Sequence, residues 1–503
     1  MRATAIFWLF SLLLLPMVLV SSFSKPWGIR ADVWETAAAI RAISENPLHP
    51  ANPLLRLPGD TSPRFTPYTI GWGLVARFTR LDLFTVVGFA GLVNYLLFIT
   101  GLRRFLIYQF RRRDLPLIAL VTMLTVWGTG YGQANGYQLR MFLAGLPLVG
   151  FFVYGICFHA LAELRRYTDS NSRSALAFYV LLSILAFLTH PITALFGFTA
   201  ALALVLTTGN LRQIVLLQLV PITAFCVSLL WPYFDYWTVL TKGSSESWFE
   251  APLFANQFTA MGTALLGIPI AIAYAIQRQY LFIFYGLIFC AAVYGISAAM
   301  TILIGSRFLL YGAIFLHLAI AVYIIEDWPD WWRNMRRSAP RTWIKFAILI
   351  VLLLPPLRWR LPEVRNEVVR AAQIIAGKPV STLYSRIEFL RDHIDSNATI
   401  MAEEDTDWSV PSITGARIVS QQKGDPLISD EIQERRETVR QFFFEQNAAP
   451  ERRSLLSKYR ATHILLDLKR QDQWSPDLLP QLPLLAQKMA EHDSLALYEI
   501  VWF

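Results

Sequence analysis

The sequence predicts a mainly α-helical, polytopic membrane protein with a small α/β domain at its C-terminal end. Of its 503 residues, 55% are hydrophobic and only 16% are charged, and the mean hydropathy is +0.42. A soluble protein of several domains carries more charge than this, so most of the chain is expected to lie in a bilayer. After Pro355-Pro356 the composition changes, and charged and amphipathic segments replace the long apolar runs.

A helix needs roughly 17–25 mostly apolar residues to cross the hydrocarbon core of a bilayer, and several segments here qualify. About eleven spans are predicted. The predicted spans lie near residues 5–22, 82–102, 115–131, 141–163, 174–190, 192–208, 213–231, 257–276, 280–303, 308–325 and 344–357. With alternate crossings, arginine-rich loops at 103–113, 165–173 and 333–345 fall on one side. Cytoplasmic loops collect Lys and Arg, so this side and the N-terminus are predicted to be cytoplasmic. The first segment also resembles a cleaved signal peptide, an alternative that leaves the remaining topology unchanged.

This topology predicts a membrane domain over residues 1–357 and an extracytoplasmic linker with an α/β domain over 358–503. Helical and period-two apolar patterns alternate in the second part, which indicates one small sheet covered by helices. The predicted elements are helices at 386–394, 428–445 and 451–459, strands at 399–403, 416–420 and 462–468, and a final helix and strand before the C-terminus.

The longest loop between spans, residues 23–81, falls on the outer side and is predicted to be functional. From Val33 to Ile43, apolar positions recur at helical spacing, which predicts an amphipathic helix suited to the membrane surface. A second such helix is predicted from Tyr68 to Phe78.

Two carboxylates, Asp32 and Glu35, open the first of these helices in the segment ADVWETAAAI. Asp-x-x-Glu before an apolar-periodic run is typical of a capping box, with Asp32 as N-cap and Glu35 at N3. A carboxylate near a membrane interface and close to Trp34 also loses hydration, and could then act as a general base toward a hydroxyl. The spacing alone does not decide between these roles.

This segment, the multi-span core and the tail with "RRSLLSKYRATHILLD" resemble the GT-C superfamily of integral-membrane glycosyltransferases, which includes protein O-mannosyltransferases and bacterial aminoarabinose transferases. The resemblance implies a GT-C-like fold in the inner (cytoplasmic) membrane, with the C-terminal domain periplasmic. It implies a sugar donor linked to polyprenyl phosphate, a lipid, glycan or protein acceptor, and inverting displacement. It assigns Asp32 as the catalytic base and Glu35 as its neighbour, although many members carry adjacent acidic residues here.

The leaving phosphate of such a reaction gains charge that a cation must stabilise. Arg307 in "LIGSRFLLYGAIF" is the best candidate for this phosphate, because its planar fork donates two hydrogen bonds at once. Arg140 is a second candidate, and His190 in "FLTHPITALF" is expected to donate to phosphate or to pair with Asp32. The alternatives are arginines that reach lipid headgroups and a structural histidine.

Two more candidates lie in outer loops. His49 is placed along the acceptor path, and Lys242 lies in the 232–256 loop, which could close over a substrate or simply connect two spans. No metal site is predicted, and the three cysteines fall inside apolar runs, although a divalent cofactor is left open. The Asp405-Thr406-Asp407 motif is interpreted as a solvated loop.

Other function classes were compared with this pattern. A transporter or lipid flippase is the main alternative, but inverted repeats and polar groups at mid-membrane would be expected of it. An O-antigen polymerase or ligase usually has its major loop late in the span series, and a noncatalytic assembly protein of an exopolysaccharide system remains a further alternative. The net charge of +9 does not indicate nucleic acid, because much of the excess lies in short loops where it sets topology.

Overall fold

The computed structural model describes residues 2–23, 31–56, 61–128, 136–209, 211–242, 254–335, 358, 361–362, 364–378 and 383–502. The predicted span at 344–357 lies outside these residues. The chain divides into two compact units, here called the helical unit and the mixed unit. The helical unit comprises Met1–Ser22, Ala90–Ser228 and Ser247–Lys378, and the mixed unit comprises Phe23–Phe89, Leu229–Glu246 and Pro379–Phe503.

Helices dominate the chain as far as residue 335. Single-turn 3-10 helices at Gly262–Leu266 and Leu303–Arg307 precede α13 and α15. The α-helices are α1 (Arg2–Phe23), α2 (Ala31–Glu45), α3 (Pro67–Thr79), α4 (Leu83–Phe110), α5 (Leu115–Thr125), α6 (Leu139–Gly145), α7 (Val149–Ser170), α8 (Arg173–Thr189), α9 (Pro191–Thr208), α10 (Leu211–Ser228), α11 (Tyr236–Lys242), α12 (Gln257–Met261), α13 (Gly267–Ile276), α14 (Leu281–Ala299) and α15 (Phe308–Met335).

Six helical segments of the described residues are long and apolar enough to cross a membrane, and a seventh if one bent pair is counted. The protein is therefore a multi-pass membrane protein, but the number of eleven spans is not confirmed. The bent pair corrects the predicted span at 141–163, because α6 and α7 meet at 103°. The chain turns at Leu148, the residue between Pro147 and α7, whose backbone is extended at φ −80° and ψ 147°.

Aromatic side chains fill the core of the helical unit. Phe98 packs edge-on against Phe142 and Phe158, with ring centroids 5.2 and 5.5 Å apart. Polar side chains in this core form hydrogen-bond contacts with neighbouring segments. His317 Nε2, for example, lies 2.6 Å from the carbonyl oxygen of Val126. Such pairings join helices that apolar contact alone does not orient.

The mixed unit contains a five-stranded sheet in the order β2-β1-β3-β5-β4. Strands β2, β1 and β3 are parallel, and β5 and β4 continue the sheet antiparallel. Its elements are α16 (Leu383–Ile387), β1 (Thr399–Met401), α17 (Glu404–Asp407), α18 (Val410–Thr414), β2 (Arg417–Ile418), α19 (Ser429–Phe444), α20 (Ala449–Lys458), β3 (His463–Asp467), α21 (Leu478–Leu485), β4 (Ala486–His492) and β5 (Leu495–Ile500).

The sequence patterns predict these tail elements except the short helices α17 and α18 and the strand β4. Asp493 and Ser494 join β4 to β5, and both have positive φ, at 43° and 68°. Two consecutive left-handed residues are typical of the primed turns that fit the twist of a two-residue hairpin. The Asp493-Ser494 pair was therefore the sequence signal that a hairpin of two strands, and not a single strand, follows the helix α21.

The two helices predicted in the first loop are present as α2 and α3, but α2 is buried in protein. Its apolar positions pack against α3 and against α18 of the tail. At Gly73 of α3, an added Cβ would come within 2.4 Å of Ile43, so the glycine allows the close approach. Arg41 donates to the carbonyl oxygens of Ser412 at 3.0 Å and Ile413 at 3.2 Å, which ties α2 to the end of α18. The tail therefore covers part of α2, and the placement of this helix at the membrane surface stays a prediction.

Candidate active site

Asp32 lies in the first turn of α2, and a lysine from the tail contacts its carboxylate. The ammonium of Lys423, in the loop between β2 and α19, forms an ion pair with Asp32 Oδ1. Lys423 Nζ also stands 5.4 Å from the centroid of the Trp408 ring and 3.9 Å from Glu35 Oε2. The side chains of Asp32 and Lys423 are 35% and 27% exposed, so a substrate group can reach the pair.

Glu35 lies one helical turn further along α2 and is held by an arginine fork. Arg64 Nε and Nη2 donate to its two carboxylate oxygens at 2.9 and 3.0 Å, and Trp408 Nε1 donates at 3.1 Å. The same arginine faces the fully buried Asp425 at 3.5 Å. Three hydrogen bonds and an ion pair therefore hold the Glu35 carboxylate in one orientation.

The capping-box interpretation is wrong for this pair of acidic residues. Helix α2 already includes Ala31, so Asp32 is inside the first turn, not at the N-cap. The Glu35 oxygens receive hydrogen bonds from Arg64 and Trp408 in place of a backbone N–H at the start of the helix. Tertiary partners outcompete local capping here because the fork supplies two charge-assisted hydrogen bonds at once.

The opposite charges of this cluster stabilise one another. Burial acts to lower the pKa of the Arg64 guanidinium, but the charges of Glu35, Asp425 and Asp32 outweigh it and raise that pKa above its ordinary value. Arg64 and Lys423 together face the three carboxylates of Asp32, Glu35 and Asp425. Asp32 is the most exposed of the three acidic side chains.

The described residues do not fit a divalent cation at this place. The carboxylates of Asp32, Glu35 and Asp425 already face Lys423 and Arg64. Among the residues that the structure describes, no group of three or more His, Cys, Asp or Glu side chains is arranged to hold a metal ion. No catalytic step is derived through a metal.

The Asp405-Thr406-Asp407 motif differs from its prediction as a solvated loop. Asp407 ends α17, is completely buried, and neither of its carboxylate oxygens has a hydrogen-bond partner. Burial, with the nearby Glu404, Asp405 and Glu403 charges, raises the pKa of Asp407 well above its ordinary value. Asp407 is therefore a core residue, directly before the Trp408 that donates to Glu35.

The remaining predicted site residues divide between the two units. His49 and Lys242 belong to the mixed unit, as Asp32 and Glu35 do, and both are exposed. Arg307, His190 and Arg140 belong to the helical unit.

Within the helical unit, His190 has a definite structural role. Its Nδ1 accepts a hydrogen bond from the backbone N–H of Thr193 at 3.2 Å and lies 2.8 Å from the Thr193 hydroxyl, so it caps α9. Arg307 is half-buried at the end of the Leu303–Arg307 turn, and Arg140 is exposed at the start of α6.

Sequence reasoning did not identify Arg64, Trp408, Lys423 or Asp425. Their only local signals are proline and glycine neighbours, in "SPRFTP" and "QQKGDP", which mark ordered turns around a charge. Lys423 is 391 positions from Asp32, and no spacing rule relates residues so far apart. The sequence did indicate that cations lie near Asp32 and Glu35, because two carboxylates one helical turn apart repel each other.

Comparison with known proteins gives no match to a family model and none to a curated protein. Several solved structures match in fold. ArnT from Cupriavidus metallidurans in the apo state has a TM-score of 0.55 and 14% identity, with 100% of this chain and 99% of that chain covered. The chain has the GT-C fold. The Archaeoglobus fulgidus oligosaccharyltransferase, in complex with Zn and sulfate, matches with a TM-score of 0.51 and 11% identity, over 97% of this chain and 71% of that chain. The GT-C fold confirms the predicted class, a mainly helical membrane protein with a small sheet near the C-terminus.

Proposed function

We propose that the protein is a membrane glycosyltransferase that transfers a sugar from a polyprenyl-phosphate-linked donor to a lipid, glycan or protein acceptor on the extracytoplasmic face. The observation that carries the proposal is the accessible Asp32 carboxylate beside a buried ionic cluster, in a chain with the GT-C fold. The arginine-rich loops support a topology in which the N-terminus is cytoplasmic and the tail lies outside the inner membrane.

In this proposal Asp32 is the catalytic base. It accepts the proton of the acceptor hydroxyl as that oxygen bonds to the anomeric carbon of the sugar. The bond between the anomeric carbon and the phosphate oxygen breaks with inversion, and its electron pair leaves with polyprenyl phosphate. The products are the glycosylated acceptor, the lipid phosphate and a protonated Asp32, which returns its proton to solvent.

Glu35, Arg64 and Trp408 act in this proposal as a rigid support. Glu35 shares a face of α2 with Asp32, and its three hydrogen bonds fix the orientation of that face. A base held in one position loses less freedom when the substrate binds. Glu35 is therefore proposed as a positioning residue and not as a second base.

The other candidates keep their proposed roles toward substrate. Arg307 is proposed to bind the donor phosphate, because its guanidinium can donate two hydrogen bonds to one phosphate group. Arg140 and His190 are proposed as further donors to it, with the ring of His190 oriented by Thr193. His49 and Lys242 are proposed to lie along the acceptor path.

Lys423 is proposed as a positioning residue. Its ammonium keeps the Asp32 carboxylate ionised until the acceptor hydroxyl replaces the ammonium beside that carboxylate. Replacing Lys423 with alanine is expected to slow transfer about tenfold and to move the acid limb of the pH–rate profile to higher pH, since the ion pair favours the charged carboxylate. Initial rates measured between pH 4 and 9 test this.

Two variants give this measurement its controls. Lys423→Arg keeps the charge and is expected to restore the position of the acid limb. Lys469→Ala removes a lysine of the tail that pairs with Asp493 at 3.1 Å, and is expected to leave the profile unchanged. An acid limb that does not move in Lys423→Ala contradicts the role of Lys423.

Deletion of the gene, followed by mass spectrometry of envelope glycans and lipids, tests the function itself. We expect one glycan or lipid species to lose a sugar-sized mass, and the purified protein to restore that mass from a polyprenyl-phosphate sugar. Unchanged glycans in the deletion strain, with a lipid-linked sugar accumulating in the inner leaflet, would indicate a flippase and refute the proposal.

A further inference from the structure

A cavity of about 1050 Å³ lies in the helical unit at the C-terminal end of α4. The side chains of Arg103, Arg104 and Arg113 line it together with Trp8 and Tyr108. The proposed sugar transfer uses none of these residues, so the cavity is a separate feature of the molecule.

Two of the three arginines lack a carboxylate partner among the described residues. Arg104 pairs with Glu163, whereas Arg103 has its guanidinium carbon 5.5 Å from the centroid of the Trp8 ring, and Arg113 is exposed. The neighbouring arginines of the same loop are different: Arg111 pairs with Asp169, and Arg112 pairs with Asp114 and Glu326. Within this loop, the arginines that lack a carboxylate partner among the described residues are therefore the ones that line the cavity.

The surroundings of the cavity are those of a membrane interface. It opens where the apolar helix α4 ends and a run of charged residues begins. Ala5 and Ile107 form an apolar part of the cavity wall. On the adjacent surface of α1, the exposed fractions of Leu9, Leu12 and Leu13 are 58%, 61% and 67%. A helix face this apolar is suited to lipid chains, so the cavity joins a hydrocarbon-facing surface to a cluster of cations.

We propose that this cavity binds the phosphate headgroup of an anionic phospholipid, in the leaflet on the arginine-rich side of the membrane. Guanidinium groups suit a phosphodiester because the planar fork donates two hydrogen bonds, and basic cavities between helices on the cytoplasmic side are typical anionic-lipid sites. The aromatic ring of Trp8 holds Arg103 in place before the lipid arrives. The apolar wall favours a lipid over a free phosphate, because only the lipid has a chain that covers it.

Native mass spectrometry of the purified full chain in detergent tests the proposal, with phosphatidylglycerol, phosphatidylethanolamine and inorganic phosphate as probes. We expect phosphatidylglycerol to be retained at least tenfold better than phosphatidylethanolamine. Arg103→Gln/Arg113→Gln is expected to bind phosphatidylglycerol about 30-fold more weakly, since each arginine near an anionic lipid contributes on the order of 1 kcal/mol.

The matched control is Arg212→Gln/Arg278→Gln, which removes the same charge from two exposed arginines of the helical unit that do not line the cavity. It is expected to bind phosphatidylglycerol like the unmodified protein. Equal retention of the two lipids by the unmodified protein overturns the proposal without any variant. Undiminished binding in Arg103→Gln/Arg113→Gln, or displacement of the lipid by millimolar inorganic phosphate, also overturns it.

Discussion

Replacing Asp32 with asparagine is expected to lower the rate of sugar transfer by about 10²–10⁴-fold, the usual contribution of a general base. The amide keeps the size of the side chain but cannot accept the proton of the acceptor hydroxyl. Initial rates with a lipid-linked donor measure the effect, and donor affinity is expected to change much less than the rate. Asp32→Glu, which retains a carboxylate, is expected to keep part of the activity.

Loss of the Lys423 ion pair could also disturb the loop between β2 and α19, so the folding of Asp32→Asn must be measured beside its activity. The control is Asp430→Asn, the same chemical change at an exposed position in the first turn of α19. It is expected to leave both the rate and the unfolding temperature unchanged. Near-normal turnover in a folded Asp32→Asn protein would remove Asp32 as the base.

Replacing Arg64 with methionine is expected to lower the free energy of unfolding of the mixed unit by about 3–5 kcal/mol. Arg64 is the only described cation within 3.5 Å of both Glu35 and Asp425, whose side chains are 10% and 0% exposed. Methionine fills the volume but leaves two carboxylates without their counter-ion in a place with little water. Chemical denaturation of the full chain in detergent, followed by tryptophan fluorescence, measures the loss.

Two comparisons make this prediction specific. In Arg64→Met/Glu35→Gln one of the stranded charges is removed, so the double variant is expected to lose less stability than the sum of the two single changes. Arg56→Met breaks the ion pair with Glu45, whose side chain is 45% exposed, and is expected to cost no more than about 1 kcal/mol. Equal stability of Arg64→Met and Arg56→Met would show that the fork does not hold the cluster.

The candidate site shows which part of the prediction came from local pattern. Asp32 and Glu35 stood out because carboxylates are rare beside so many apolar residues, and the helix that carries them follows from its period. Their separate roles did not follow, because each role depends on a partner from a distant part of the chain. Lys423 leaves Asp32 accessible, whereas Arg64 and Trp408 immobilise Glu35.

In the membrane helices, too, local pattern predicts some features and leaves others undetermined. Hydropathy located the spans at 82–102 and 192–208, because a bilayer demands a minimum length of apolar residues. It could not show that the run at 141–163 begins with a sharp bend, since α6 and α7 are equally apolar on both sides of Pro147. Composition does not report the direction of a helix, which here changes at the extended backbone of Leu148.

The class of this protein, several of its long apolar helices, the tail sheet apart from β4 and the position of its most conspicuous carboxylates could all be predicted from the sequence. These features follow from hydrophobicity and period, which act over a few neighbouring residues. Only the tertiary structure decided that α2 is buried, that Asp407 is a core residue, and which cation faces which acid. Those outcomes depend on contacts across hundreds of residues, where the free energy comes from excluding water and pairing charge, and neither leaves a spacing in the sequence.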